Sequence, residues 1–368
     1  MIITSLELQN YRNYSNLDIT FKDGINVLYG DNAQGKTNIL EAIYLCGTTK
    51  SHRGSKDRDI INFEEEEGHI RLFLQKKNIN HKIDVHLRKN KTKGVAIDGI
   101  SIRKYNDLFG LIHVVLFSPE DLSIVKNGPG ERRRFINMEL CQLDKVYFYH
   151  LTKYNKILKQ RNYLLKQINY KPELKDTLDI WDDQLAECGA EIIRRRNEFI
   201  KDINKLSNRI HSSLSGNKEK LHIYYEPDVS DKELKKELLR KRDNDIRFAT
   251  TQVGPHRDDI RFMVNNVDIR RFGSQGQQRT TSLSLKLAEI ELVKKVTGDT
   301  PVLLLDDVLS ELDQNRRNYL LDSIKEIQTI VTCTGLDEFV NSRLSVDTIY
   351  YIKNGIVKRK EMEVENVE

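Results

Sequence analysis

Eight consecutive residues, Gly30-Asp31-Asn32-Ala33-Gln34-Gly35-Lys36-Thr37, constrain this chain more than any others. A short apolar, β-prone run, Ile25 to Tyr29, precedes them, and Ile39, Leu40, Ile43 and Tyr44 follow at helical spacing. The segment therefore reads as a glycine-rich turn that leaves a strand and opens a helix. Gly30 and Gly35 let the backbone curl so that successive N–H groups face an anion, with the positive end of the new helix behind them. Lys36 is placed to reach β- and γ-phosphates, and the Thr37 hydroxyl to ligate Mg²⁺. A nucleoside triphosphate is the expected cofactor, held by Gly30 through Thr37.

A second segment completes that chemistry. Pro301-Val302-Leu303-Leu304-Leu305-Asp306-Asp307 reads as a buried strand ending in two acids. In a parallel sheet its carboxyl end lies beside the phosphate loop, so Asp306 would share the Mg²⁺ with Thr37. Asp307 would orient or deprotonate the attacking water, with Lys36 stabilising the transferred phosphate. Alone, a strand ending in acids carries little weight; beside a sound phosphate loop it is specific.

Between these motifs the sequence changes character twice. Residues 2–29 read as strands, 69–75 and 81–88 alternate cleanly, and Ile112 to Phe117 is a further apolar run. From about residue 120 it gives way to helical spacing: Leu151, Tyr154, Leu158, Leu165 and Ile168, interrupted by Arg161, then Leu174, Leu178, Trp181, Leu185, Cys188 and Ile192 beyond Pro172. A 3.5-residue period on both sides of a proline turn predicts two antiparallel helices of about three heptads each. The lysine- and glutamate-rich stretch 214–245 would finish this helical region. Strand character returns at Ile260–Val264 and across the turn Asn265-Asn266, followed by a helix from about residue 275, one from about Gln314, a strand at Ile330-Val331 and a hairpin at Asn354-Gly355. The expected architecture is one α/β nucleotide-binding domain, residues 1–120 and 246–368, split by a helical insertion, residues 121–245.

At 368 residues the chain has room for two domains. A net charge of +5 permits nucleic acid without demanding it, since local clusters matter more than the sum. Cys46, Cys141, Cys188 and Cys333 show no metal-binding spacing, which fits buried thiols in a reducing, cytoplasmic setting. No run approaches the roughly 20 apolar residues of a membrane span, so no membrane partner is expected.

Ser274-Gln275-Gly276-Gln277, taken alone, is a serine helix cap. Between the phosphate loop and the acidic strand it resembles the signature motif of the ABC ATPase superfamily, whose serine contacts the γ-phosphate held by a partner subunit. Ser310-Glu311-Leu312-Asp313 resembles the matching D-loop. With Asn10-Tyr11-Arg12-Asn13-Tyr14, Phe117-Ser118-Pro119-Glu120-Asp121-Leu122, Gly128-Pro129 with Arg132-Arg133, and Gly254-Pro255-His256-Arg257-Asp258-Asp259, the whole set resembles the RecF family of bacterial recombination-mediator ATPases.

The resemblance implies an ABC-type P-loop ATPase head, a mixed sheet with flanking helices, carrying a short antiparallel coiled-coil-like arm. It also implies a homodimer formed on ATP that clamps DNA at single-strand gaps, works with RecO and RecR in recombinational repair and replication restart, and is reset by slow, DNA-stimulated hydrolysis. Asp307 replaces the glutamate usual in ABC ATPases; its carboxylate is one methylene shorter, and a displacement of about 1 Å can cost roughly 10²-fold in rate. Val331-Thr332-Cys333-Thr334 occupies the place of the transporter switch histidine, with Thr332 or Thr334 the expected phosphate contact.

The basic residues expected to track DNA phosphates without reading sequence are Arg12, Arg53, Lys56, Arg58, Arg132 and Arg133, with Arg134 and Arg194-Arg195-Arg196 as further members. Arg53 leads, because its loop follows the P-loop helix. His256 and Arg257 read as core or interface residues, Arg257 bracing the nucleotide site. The competing readings are a Rad50- or SMC-like ATPase controlling a nuclease or chromosome complex, a transporter subunit, and a small-molecule kinase. The short arm argues against the first, the length of residues 120–250 against the second, and the signature and D-loop segments against the third.

Overall fold

A computed structural model describes residues 1–103, 105–336 and 346–360. The chain divides into two compact units, Met1–Asp121 with Glu289–Glu368, and Leu122–Ala288. The first contains β1 (Ile2–Tyr11), β2 (Tyr14–Thr20), β3 (Ile25–Tyr29), α1 (Lys36–Thr48), β4 (Glu67–Lys76), β5 (Ile79–Arg88), β6 (Gly94–Ile97), β7 (Ile100–Ser101) and β8 (Val114–Phe117). The second contains α2 (Leu122–Lys126), α3 (Pro129–Leu143), α4 (Lys145–Ile168), α5 (Leu178–Leu214), β9 (Leu221–Glu226), α6 (Leu234–Phe248), β10 (Asp259–Val264), β11 (Val267–Asp268) and α7 (Ile269–Phe272). The division falls within α8 (Gln275–Thr297), after which the first unit resumes with β12 (Val302–Asp306), α9 (Gln314–Ser323), β13 (Thr329–Cys333), β14 (Thr348–Lys353) and β15 (Ile356–Lys360).

Two six-stranded sheets build the first unit. One is antiparallel, in the order β2-β1-β4-β5-β6-β7. The other, β15-β14-β3-β13-β12-β8, is parallel apart from the β14–β15 hairpin. Every residue of β8, β12 and β13 is buried, the near-continuous apolar pattern of strands covered on both faces. β4 alternates exposed and buried residues over its first half, as a sheet with one wet face must. Ile39, Leu40 and Ile43 of α1 share one core with Leu72 and Ile83 of the antiparallel sheet and Leu304 and Ile330 of the parallel one. Both faces of α1 are thus covered, which fixes the loop at its N-terminus.

In the second unit, α4 and α5 pair across the proline turn, as their spacing predicts. They are longer than three heptads: 24 and 37 residues, or about 36 and 55 Å at helical rise. Arg161, which seemed to interrupt the stripe, lies inside it. It is fully buried and bonded to Asp182 (2.6 Å), Asp245 (2.7 Å) and the Thr251 hydroxyl (2.7 Å). Residues 214–245 are not wholly helical. Leu221–Glu226 form β9, hydrogen-bonded to β10 through the whole of its length. That pairing draws residues beyond 245 into the second unit, which runs to Ala288 where the sequence pattern suggested a change at 245.

Candidate functional site

β3, β13 and β12 are adjacent and parallel, so their carboxyl ends meet at one edge of the sheet. The loop after β3 curls as its glycines require: Gly30 has φ 152° and Gly35 φ 111°. A methyl on Gly30 would sit 2.2 Å from the Ile352 carbonyl oxygen, and one on Gly35 2.6 and 2.7 Å from Asn13 Nδ2 and Tyr14 Oη. Buried Lys36 donates from Nζ to the carbonyls of Gly30 (2.5 Å) and Asp31 (2.8 Å), which places its charge across the mouth of the loop. Asp31, Asn32 and Ala33 are exposed at the rim.

Asp306 ends β12 and accepts at Oδ1 from Thr37 Oγ1 (2.8 Å) and Thr332 Oγ1 (2.8 Å). Asp307 follows with φ 53°, a left-handed turn that aspartate tolerates better than most residues. Its N–H donates to Thr332 Oγ1 (3.1 Å), and its carbonyl accepts from Ser310 Oγ (2.9 Å). Burial lowers the Lys36 pKa, and the surrounding acids, Asp307 first, oppose that shift. Burial raises the Asp307 pKa, opposed by Lys36. The site therefore combines a cation, two carboxylates and a hydroxyl. The hydroxyl and carboxylate oxygens of Thr37 and Asp306 are the hard donors that suit Mg²⁺.

The sequence reading did not assign the braces around this loop. Asn13, in the β1–β2 turn, donates to the Gln34 carbonyl (3.1 Å) and accepts from Asn38 (2.8 Å). On the other side the Asn354 N–H of the β14–β15 hairpin donates to Gln34 Oε1 (2.6 Å). The run Asn10–Tyr14 thus has a local purpose, to hold the loop. Thr332, expected at phosphate, is buried and orients the two acids; Thr334 is exposed.

The basic candidates separate by what they touch. Arg53, Lys56 and Arg58 are exposed on one loop, Arg53 reaching Asn38 of α1 (3.3 Å). Arg12 is committed elsewhere. It grips the fully buried Glu41 at 2.7 and 2.8 Å and also donates to Ser55 and the Asp59 carbonyl, which leaves its guanidinium engaged within the unit. Arg132, 1% exposed, is clamped on Asp259 (2.5 and 3.0 Å) and on the carbonyls of Ile124 and Asn127, so the structure removes it from any surface. Arg133 donates to the Asp258 carbonyl (2.7 Å). Arg196 is buried against Asp258 (2.7 Å) and the Pro255 carbonyl (2.6 Å), while Arg194 and Arg195 pair with Glu191. Gly254–Asp259 is accordingly a clasp inside the second unit. His256 meets Tyr154 (2.7 Å) there, and exposed Arg257 donates to the Thr251 carbonyl (3.3 Å).

Ser274–Gln277 open α8 as a reciprocal cap. Gln277 N–H donates to Ser274 Oγ (3.2 Å) and Ser274 N–H to Gln277 Oε1 (3.1 Å). Ser274, Gln275 and Gly276 are exposed. Gln277 is held from behind by Glu219 (2.8 Å), whose other oxygen meets the buried His211 (3.1 Å). Nothing in the local sequence pointed to Glu219, because only the packing of α5 and the following loop brings it there.

A glycine-rich loop between a strand and a helix and an acid-tipped neighbouring strand, on a two-sheet unit joined to a largely helical one, define the class: an ABC-type ATPase head with a helical insertion. The RecF/RecN/SMC N-terminal domain model matches residues 2–358. The chain is 59% identical over 359 residues to the DNA replication and repair protein RecF of Lachnoclostridium phytofermentans, covering 98% of this chain and 100% of that one. It is 46% identical to RecF of Clostridium perfringens, covering 97% and 100%. Solved structures of the recombination mediator protein RecF-ATPrS and RecF-ATP, in the RecFOR pathway, superpose with TM-scores of 0.90 and 0.89 at 36% identity. They cover 97% and 98% of this chain, and 98% and 99% of their own. An SMC head from Pyrococcus furiosus, 17% identical with a TM-score of 0.56 over 99% of this chain and 96% of that one, shares the fold. The chain belongs to the RecF family.

Proposed function

We propose that this chain is an ATP-switched, homodimeric DNA clamp of recombinational repair and replication restart, acting at single-strand gaps with RecO- and RecR-type mediators. The observation that carries this reading is the joint presence of a glycine-rich loop with Lys36, Thr37 and Asp306 gathered at it on one unit and an exposed, capped Ser274 helix start on the other. In each protomer Gly30–Thr37 would cradle ATP, with Lys36 on the outer phosphates and Thr37 and Asp306 holding Mg²⁺. Ser274 and the N–H groups of α8 would meet the γ-phosphate bound by the second copy. Charge-assisted hydrogen bonds of about 1.5–3 kcal/mol each would then join the protomers only while the triphosphate is intact. Asp307, raised in pKa and turned by a left-handed backbone, would activate water, and the one-methylene shortening favours slow release. The exposed Arg53, Lys56 and Arg58 are the retained candidates for phosphate tracking, with Arg133 secondary. Membership of the RecF family, and the RecFOR context of the solved relatives, support the choice of partners.

Sedimentation with ATP, with ADP and without nucleotide tests the switch: dimer with ATP alone is expected, and equal association in all three defeats it. Ser274→Arg should abolish the ATP-dependent dimer while ATP still binds the monomer.

A further inference from the structure

The antiparallel sheet of the first unit carries a cluster that the nucleotide chemistry does not use. Glu67 and His69 project from the same face of β4, two residues apart, and His69 is the direct cross-strand partner of His86 on β5. The two imidazoles stack with centroids 4.1 Å apart and planes inclined by 17°. Glu67 Oε2 lies 2.6 Å from His86 Nε2, and ligating atoms of all three residues fall within 4.8 Å of one another. His69 and His86 line one side of a hollow of about 670 Å³ on the sheet face, open to solvent.

We propose that Glu67, His69 and His86 form a binding site for a divalent transition-metal ion, Zn²⁺ in particular. Two imidazoles and one carboxylate are the donor set of open zinc sites, with the fourth position left to water. Mg²⁺, which prefers oxygen ligands, is a poor match. A register that places two histidines directly opposite each other supplies two ligands on rigid backbone, at a Cβ separation of roughly 5 Å. Bonds of about 2.1 Å at a tetrahedral angle bring the Glu67 and His86 donor atoms to about 3.4 Å, a modest opening of the 2.6 Å hydrogen bond.

Arg88 makes the proposal sharper. Its Nη2 lies 3.0 Å from His86 Nδ1, and its Nε 3.3 Å. An arginine can only donate, so Nδ1 is the acceptor and the ring proton sits on Nε2, facing Glu67. When the metal takes Nε2, that proton moves to Nδ1 and the Arg88 guanidinium turns away. No proton is lost from the imidazole, and the metal replaces the hydrogen bond between His86 and Glu67. Arg88 therefore competes with the metal both for the tautomer and by charge.

Calorimetric titration of the full chain with ZnCl₂, with MgCl₂ as control, tests the site. One equivalent is expected at micromolar affinity, weakened at least tenfold by His69→Ala or His86→Ala and tightened several-fold by Arg88→Ala. Misfolding cannot mimic that opposite response. Zn²⁺ should also raise the melting temperature of the parent and not that of the histidine variants. Equal Zn²⁺ binding by the parent and both histidine variants, or no saturable binding below millimolar Zn²⁺, would overturn the assignment.

Discussion

Asp307 and Glu41 show how hydrogen-bond partners set opposite tasks for two carboxylates. Asp307 is raised in pKa by burial, and a base active above its pKa fails as pH falls. The acid limb of the hydrolysis profile should therefore lie above 3.8, the ordinary aspartate value, and Asp307→Asn should cut turnover by about 10²–10⁴-fold. The same variant should melt at higher temperature, because a carboxylate whose pKa rises on folding weighs against the fold at neutral pH. Burial pushes Glu41 upward too, but its hydrogen bonds from Arg12 and Ser51 outweigh that and hold it below 4.5. Its contribution is thus present at neutral pH and lost as pH falls through the depressed folded value. Arg12→Ala leaves the buried Glu41 carboxylate without its counter-charge, an expected loss of about 3–5 kcal/mol measured by urea unfolding. In that variant the penalty should shrink on acidification, the reverse of the parent.

At the level of elements, the start of α8 rests on support from outside the helix. Glu219 holds Gln277, and Gln277 closes the cap on Ser274. A hydrogen bond to a charged group contributes about 1.5–3 kcal/mol, so Glu219→Ala should weaken the proposed ATP-dependent dimer about tenfold or more. Nucleotide affinity of the monomer should not change, and Glu219→Gln, which keeps an acceptor, should recover part of the loss. The helix was legible from Ser274, Gln277 and its apolar spacing; its anchor was not, since Glu219 lies far from it in sequence. β9 was missed for a related reason. Leu221 and Ile223 do alternate with polar residues, but they lie in a lysine-rich stretch, and a strand that short is defined by its partner β10. Arg161 looked like a break in a stripe because a lone sequence cannot show that Asp182 and Asp245 arrive to pair with it.

For the whole molecule, the distinction that matters is between cations that face water and cations that hold the fold. Arg53→Ala should lower DNA affinity and reduce the slope of log affinity against log salt by up to about 0.9, one duplex phosphate contact, with ATP affinity unchanged. Arg132→Ala should act on stability instead, because it strips the clamp from Asp259, and denaturant unfolding will register it directly. Composition weighed these two arginines alike. Burial separates them.

The sequence by itself determined the glycine-rich loop, the acid-tipped strand, the capped start of α8 and most of the strands and helices. Each is a local pattern of backbone freedom, hydrophobic period or capping chemistry, written in neighbouring residues. Only the tertiary structure decided which polar groups those motifs lean on. Asn13 and Asn354 at Gln34, Thr332 between two acids, Glu219 behind Gln277, and His69 opposite His86 are all partners distant in sequence. A buried polar group must find a partner, but nothing local states which one; chain topology makes that choice.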